Sequence, residues 1–345
     1  MKYKGIIQNS IMQKGQPATA DSMMLESFTA PLTATVIERL ESAGVQIAGR
    51  IKTSEFGVNG LFGTQGDGSL VFSGTLSDRN SDILLRTQEN RPPVFCFANG
   101  EADFALCNDY TGAISQAAAG QGLYYIHPTY GSVSRYGLIP SVTSMDQIGV
   151  LCKSPEVGLH VLGIITGFDP RDGVMVEGKL QITNYKSQIK KGGFESGYLE
   201  ILPQIMQVLC CAELSNNISR YDGIKFGHRA KGYSGLRELY TKSRTEAFGE
   251  DVKLASVIGA MVLSQENYMR YYDKAMRLRR LIKGSLEFDK YDVIVTGCPL
   301  LSRLCGLPSL STPEKVYIAD AGREDVLEAI SKGINGKEGT AGEKV

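Results

Sequence analysis

Residues Thr33–Phe56 read TATVIERLESAGVQIAGRIKTSEF. Across Ala34–Gly44, Val36, Ile37 and Leu40 recur at helical spacing, with Thr33 placed to cap the first turn and Gly44 to stop the last. Val45–Ala48 then predicts a short buried strand, closed by Gly49. Helix followed at once by apolar strand is the alternation of an α/β chain. The same alternation extends outward. Val157–Thr166 (VGLHVLGIIT) predicts a helix ending near Gly167, with Pro170 just beyond. Leu236–Phe248 and Val252–Ile282 predict long helices, and Tyr291–Val295 (YDVIV) predicts a strand bounded by Gly297 and Pro299. Glu101–Ala119 reads as a strand running into a tight turn of small residues. Gly57–Gly74 is too rich in glycine for a long element, Ser81–Leu85 is ambiguous, and the run from Gly333 onward reads as a tail.

Composition narrows the function classes. The chain has 345 residues, with 37 Lys and Arg against 37 Asp and Glu, so it lacks the overall basic excess of a dedicated polyanion binder. Hydrophobic residues make up 42%, enough for a proper core. Met1–Ser10 shows no apolar leader core, and the apolar stretch Ile201–Cys211, interrupted by Pro203, Gln204 and Gln207, is too short to span a bilayer. The seven cysteines (Cys96, Cys107, Cys152, Cys210, Cys211, Cys298, Cys305) form no CxxC pair and stand apart from His127, His160 and His228. Reduced thiols in a cytoplasm, with no metal and no cofactor, are the expectation. No phosphate-cradling GxxxxGK[ST] occurs, so nucleotide binding has no motif to rest on.

Three blocks carry a family resemblance: Thr33–Phe56; Pro128–Ile148, PTYGSVSRYGLIPSVTSMDQI; and Tyr221–Ile282, from YDGIKFGHRA to YYDKAMRLRRLI. Together they resemble the amidase signature family, nearest its branch of glutamyl-tRNA amidotransferase A subunits. The likeness runs from about Lys4 to Pro308 and implies one amidase-like domain over residues 1–333, followed by a tail at 334–345. It implies an extended, mixed, twisted sheet covered by helices on both faces. It also implies that the family's N-terminal helices and part of its C-terminal pocket region are missing.

The family's chemistry uses a lysine, a cis-peptide serine and a nucleophilic serine, because a hydroxyl attacking an amide carbonyl must hand its proton to a neutral base through a relay. Backbone amides beside the nucleophile form the oxyanion hole. Carried onto this chain, the lysine position holds Gln8 and the cis-serine position falls nearest Glu89, within Gln88–Pro93. The motif Ser-Asp-Thr-Gly-Gly-Ser-Ile-Arg-Gln-Pro matches Asn108–Ala117, which puts Ala113 at the nucleophile. A glutamine amide is no base near neutrality, and an alanine has no attacking atom. Pro92 and Pro93 also remove two backbone donors from the loop. Losing the nucleophile alone removes most of a triad's rate. The resemblance therefore implies an inactive amidase relative that keeps a substrate-type surface at Asp109, Tyr110, Thr111, Gly112, Gln116 and Tyr272.

The rival expectation is an active amidase or transamidase that uses displaced residues: Ser115 or Cys107 as nucleophile, with Asp109 orienting. Blander readings attach to the remaining candidates. Cys96 and Cys107 suit small packing positions, His127 a structural hydrogen bond and His160 a core or boundary site. Arg277, Arg279, Arg280 and Lys283 stand among acids and suit a solvated face, so no direct nucleic-acid binding is expected. Tyr268, Tyr271 and Tyr272 suit channel lining or core equally. The expected partners are another protein, a second copy of the chain, or a small amide, with no membrane contact.

Overall fold

A computed structural model describes residues 3–62, 71–72, 97, 100–175, 189–194 and 196–338. Glu89, the loop Gln88–Pro93, Ser81–Leu85, Cys96 and most of Gly57–Gly74 lie outside them. Among the described residues ten strands form one mixed sheet. They are β1 (Lys4–Gln8), β2 (Gln46–Lys52), β3 (Val71–Phe72), β4 (Phe104–Asn108), β5 (Tyr124–His127), β6 (Ile148–Cys152), β7 (Lys191–Gly192), β8 (Val293–Thr296), β9 (Ser309–Ser311) and β10 (Val316–Ala319). Their order is β3-β2-β1-β4-β6-β5-β9-β10-β8-β7. Strand β1 runs parallel to β2 and β4, and β7 runs parallel to β8; the other pairings are antiparallel.

Register carries two opposed apolar rows across the sheet. Ile6 pairs with Ala105, Ala105 with Leu151, and Leu151 with Tyr125; on the other face Ile7, Leu106, Val150, Ile126 and Leu310 line up in the same way. Both rows are buried, so the central strands are continuous apolar runs rather than alternating ones. Helices α1 (Thr35–Ser42), α3 (Pro155–Ile165) and α9 (Glu324–Glu338) cover the Ile7 row. The Ile6 row and its extension through Ile294 and Ile318 are covered by α2 (Ala113–Gly120), α4 (Ser196–Ile218) and α8 (Leu300–Cys305). The mixed α/β sheet with helices on both faces is the architecture that the sequence resemblance implied.

Several boundaries differ from expectation. Thr33 does not cap α1: its hydroxyl accepts from the Lys14 amide, and Ala34 takes the cap position. Strand β2 runs on through Gly49, because its backbone pairs with β1 across an irregularity at Gly5/Ile6. The stretch Val252–Ile282 is two helices, α6 (Glu250–Leu263) and α7 (Lys274–Gly284), the second preceded by a π-helical turn at Met269–Asp273. At the break the Ser264 hydroxyl donates to the Met261 carbonyl and accepts from Asn267, short polar side chains supplanting helix bonds. Helix α4 passes straight through Pro203, its apolar face held by buried Leu202, Ile205, Met206 and Leu209. Helix α9 extends to Glu338, into the stretch read as a tail. Leu236–Ala247 forms α5 as expected.

One glycine fixes how the loop before β6 meets α1. Gly137 has φ +86°, and a Cβ there would lie 2.4 Å from Ala34 Cα at the cap of α1. Gly44 has a similar φ of +79° but open space around it. Gly44→Ala is expected to cost about 1 kcal/mol from the left-handed conformation alone, and Gly137→Ala distinctly more. Urea unfolding midpoints measure both, and equal losses would show that the Ala34 contact is immaterial.

Candidate active site

The site grows from the end of β4. Asp109 turns back to accept hydrogen bonds from the amides of Ile114 (2.9 Å) and Ser115 (3.1 Å), so its carboxylate caps α2. Gly112 precedes the helix at φ +74°, and a Cβ there would sit 2.9 Å from Pro299 Cγ; both the turn and the close approach demand glycine. Ala113 is the first residue of α2 and half-buried, and its amide donates to Thr111 Oγ1 at 3.4 Å. This turn sets residue 113 at a helix N-terminus but gives it only a methyl group.

Gln8 ends β1 beside it. Its Nε2 donates to Thr53 Oγ1 at 2.8 Å, and its Oε1 accepts from the Asn108 amide at 2.7 Å. The buried amide therefore bridges the ends of three neighbouring chain segments and has no free group for proton transfer. Asn108 continues the network: Nδ2 donates to Asp146 (2.8 Å), and Oδ1 accepts from the Gln147 amide (2.9 Å). Asp146 also accepts from the amides of Ser141 and Val142. Burial pushes its carboxyl above the usual range, against the pull of these bonds. The Pro128–Ile148 block is thereby clamped to the head of the site.

The residue that sequence reasoning missed is Arg303, on α8. It is buried, and its Nη2 donates to Asp109 Oδ2 at 2.9 Å and to Ser115 Oγ at 3.1 Å. Nε donates to the Asp109 carbonyl, and Nη1 to the hydroxyls of Ser302 and Ser309. The guanidinium also lies 5.2 Å from the Tyr125 ring centre. The one available signal was a lone arginine inside the apolar run Leu300–Leu307, which needs a buried anion.

Ser115 and Cys107, the alternative nucleophiles, are both buried. Ser115 is buried, and its hydroxyl donates to the Gly112 carbonyl (2.9 Å) while accepting from Arg303. Cys107 is buried on the same face of the sheet, its thiol pushed far up by burial and then by Asp109. Asp109, the expected orienting group, is committed to Arg303 and the α2 amides. Tyr110 is buried and donates to the Phe56 carbonyl at 2.9 Å; Thr111 is buried too. Gln116 is exposed at the mouth of a cavity of about 70 Å³, shared with Ser115, Pro299 and Ser311. Tyr272 is half-buried, its ring tilted against that of Tyr268 with the centres 5.2 Å apart; among the described residues no hydrogen bond or ring contact joins it to the 109–116 turn.

His127 makes no structural hydrogen bond among the described residues, contrary to expectation: neither ring nitrogen has a partner. Burial on β5, opposite Ser309 and aided by the Arg303 charge, holds its pKa well below the ordinary value. His160 is exposed rather than buried, its ring 5.4 Å from that of Tyr3. Arg277 pairs with Asp273, and Arg279 donates to Ser144 from α7. No group of three metal-ligating side chains occurs among the described residues, and no described helix is long and apolar enough to cross a membrane.

Comparison with known proteins places this fold and turn in a class. The amidase family profile matches residues 96–193 and 194–320. Two glutamyl-tRNA(Gln) amidotransferase A subunits are similar along most of the chain. That of Lachnoclostridium phytofermentans is 33% identical over 355 residues, covering 91% of this chain and 70% of its own length. That of Caldanaerobacter subterraneus is 35% identical over 360 residues, covering 91% and 72%. Among solved structures, an amidase family protein from Bacillus anthracis superposes with a TM-score of 0.65 at 17% identity, over 95% of this chain and 76% of that one. The chain belongs to the amidase signature family.

Two outcomes follow from the site's electrostatics. Asp109→Ala strands a buried guanidinium and is expected to cost about 3–5 kcal/mol. Arg303→Met added to it should recover a large part of that loss, as read from urea unfolding of both variants; no recovery would mean the pair is not coupled. Unfolded His127 takes up a proton below about pH 6.5, whereas the folded ring stays neutral. The unfolded state therefore binds more protons, and stability falls as pH drops, by up to about 1.4 kcal/mol per unit for one proton. His127→Gln should flatten the stability profile between about pH 6.5 and 5, and an unchanged slope would contradict the assignment.

Proposed function

We propose that this chain is a catalytically inactive amidase relative whose retained surfaces bind a protein partner or a small amide. The carrying observation is Ala113: the turn that presents a residue at the start of α2 is intact, with Gly112 seated against Pro299, yet the side chain presented has no oxygen or sulfur. Gln8 supports the same reading, since both ends of its amide are spent on Thr53 and Asn108. Without a nucleophile and a base, the carbonyl carbon of a bound amide meets no attacking atom by the family route. Loss of chemistry with retention of the scaffold leaves binding as the function the site supports best. The similar proteins are named as A subunits of an amidotransferase, which supports a protein partner, a second copy of the chain being the alternative.

The test is hydrolysis of glutamine, asparagine and aryl amides, read as ammonia release, together with labelling by a fluorophosphonate. No release above a heat-killed control and no labelled serine are expected. Turnover or labelling that disappears in Ser115→Ala or Cys107→Ala would establish the active alternative instead.

A further inference from the structure

Far from the 109–116 turn in sequence, the segment between Arg220 and Arg244 carries seven lysines and arginines against two acids, an excess of five on a chain whose totals balance at 37 and 37. The charge is displayed, not buried: Lys225, Arg229, Lys231 and Arg237 are all exposed, and among the described residues none has a carboxylate within ion-pair distance. Both acids are occupied. Asp222 accepts from the amides of Ile224, Lys225 and Phe226, and Glu238 pairs with Lys242 and Ser234.

The Asp222 bonds have a geometric effect. They fold residues 222–226 into a tight loop whose tip holds Ile224 and Phe226 outward, at 46% and 55% exposure. Leu236, at the start of α5, is 62% exposed. Tyr233 and Tyr240 are also exposed, and Arg229 lies over the Tyr233 ring at 5.5 Å. Large apolar side chains held in water beside unpaired cations are costly to a surface that stays solvated.

We propose that the Ile224–Tyr240 surface is a peripheral membrane-contact site for anionic phospholipid. Ile224 and Phe226 enter the headgroup boundary, the tyrosines sit at its level, and the cations face the lipid charges. Such a contact needs no spanning helix. A single-stranded nucleic acid would use the cations and the aromatic faces, but the aliphatic Ile224 and Leu236 offer no surface for base stacking. The proposal is independent of whether the 109–116 turn is active.

The chain has no tryptophan, so Phe226→Trp provides a sole reporter. With vesicles of phosphatidylcholine containing about 30 mol % phosphatidylserine, the protein should co-sediment and its emission should shift to the blue. Neither should occur with phosphatidylcholine alone, and the binding should weaken as salt rises from about 0.1 to about 0.5 M. Lys225→Gln/Lys231→Gln/Arg237→Gln should lower partitioning about 100-fold, at about fivefold per cation. Ile224→Ser/Phe226→Ser should lower it at least about tenfold. Equal partitioning to neutral vesicles, an unshifted emission, or loss in neither variant overturns the proposal. Binding of poly-glutamate or oligouridylate without vesicle partitioning also overturns it, assigning the surface to a soluble polyanion.

Discussion

The ion pair between Arg303 and Asp109 is the constraint on which the head of the site depends. Both side chains are fully buried, and neither could be left alone there without a penalty of several kcal/mol. Asp109 spends its remaining capacity on the first amides of α2, while Arg303 reaches Ser115, Ser302 and Ser309. One pair thus ties the start of α2 to α8 and to β9. The hydrogen bonds around it leave Ser115 no freedom to turn toward a substrate. A charge of this kind gives orientation more than net stability, since desolvation offsets much of the Coulomb gain.

A second network, neutral for the most part, fixes the adjoining strand ends. Gln8, Asn108 and Asp146 pass hydrogen bonds from the segment after β2 through β1 and β4 to the loop before β6. Amide side chains suit such a position because each donates and accepts at once. Asp146 is buried at the centre of this chain of contacts, and burial raises its pKa, making it a weaker acid than a carboxyl in water. Between them the two networks specify the backbone around Ala113.

How much of this could be read in advance varied with the range of the interaction. The unit Thr33–Phe56 was legible because its helix period and its stop at Gly44 are local. The strand and turn within Glu101–Ala119 were legible, but the small residues of the helix Ala113–Gly120 read as a tight turn. Strands β9 and β10 were not, being three and four residues long and without a diagnostic period. The break between α6 and α7 hid behind an apolar stripe that continues past Ser264. The apolar run around Arg303 signals that it needs a buried anion, but its partner stands 194 positions away and no local pattern identifies it. The outward tip at Ile224–Phe226 carries no local signal either, since it is formed by amide bonds to Asp222.

The Gln8 bridge restricts what else position 8 can hold. A lysine at that position offers donors only, so it would have to abandon the Asn108 amide that the glutamine carbonyl now satisfies. Gln8→Lys would therefore orphan a buried N–H. A lysine at position 8 is tolerated only if a second position takes over the Asn108 amide.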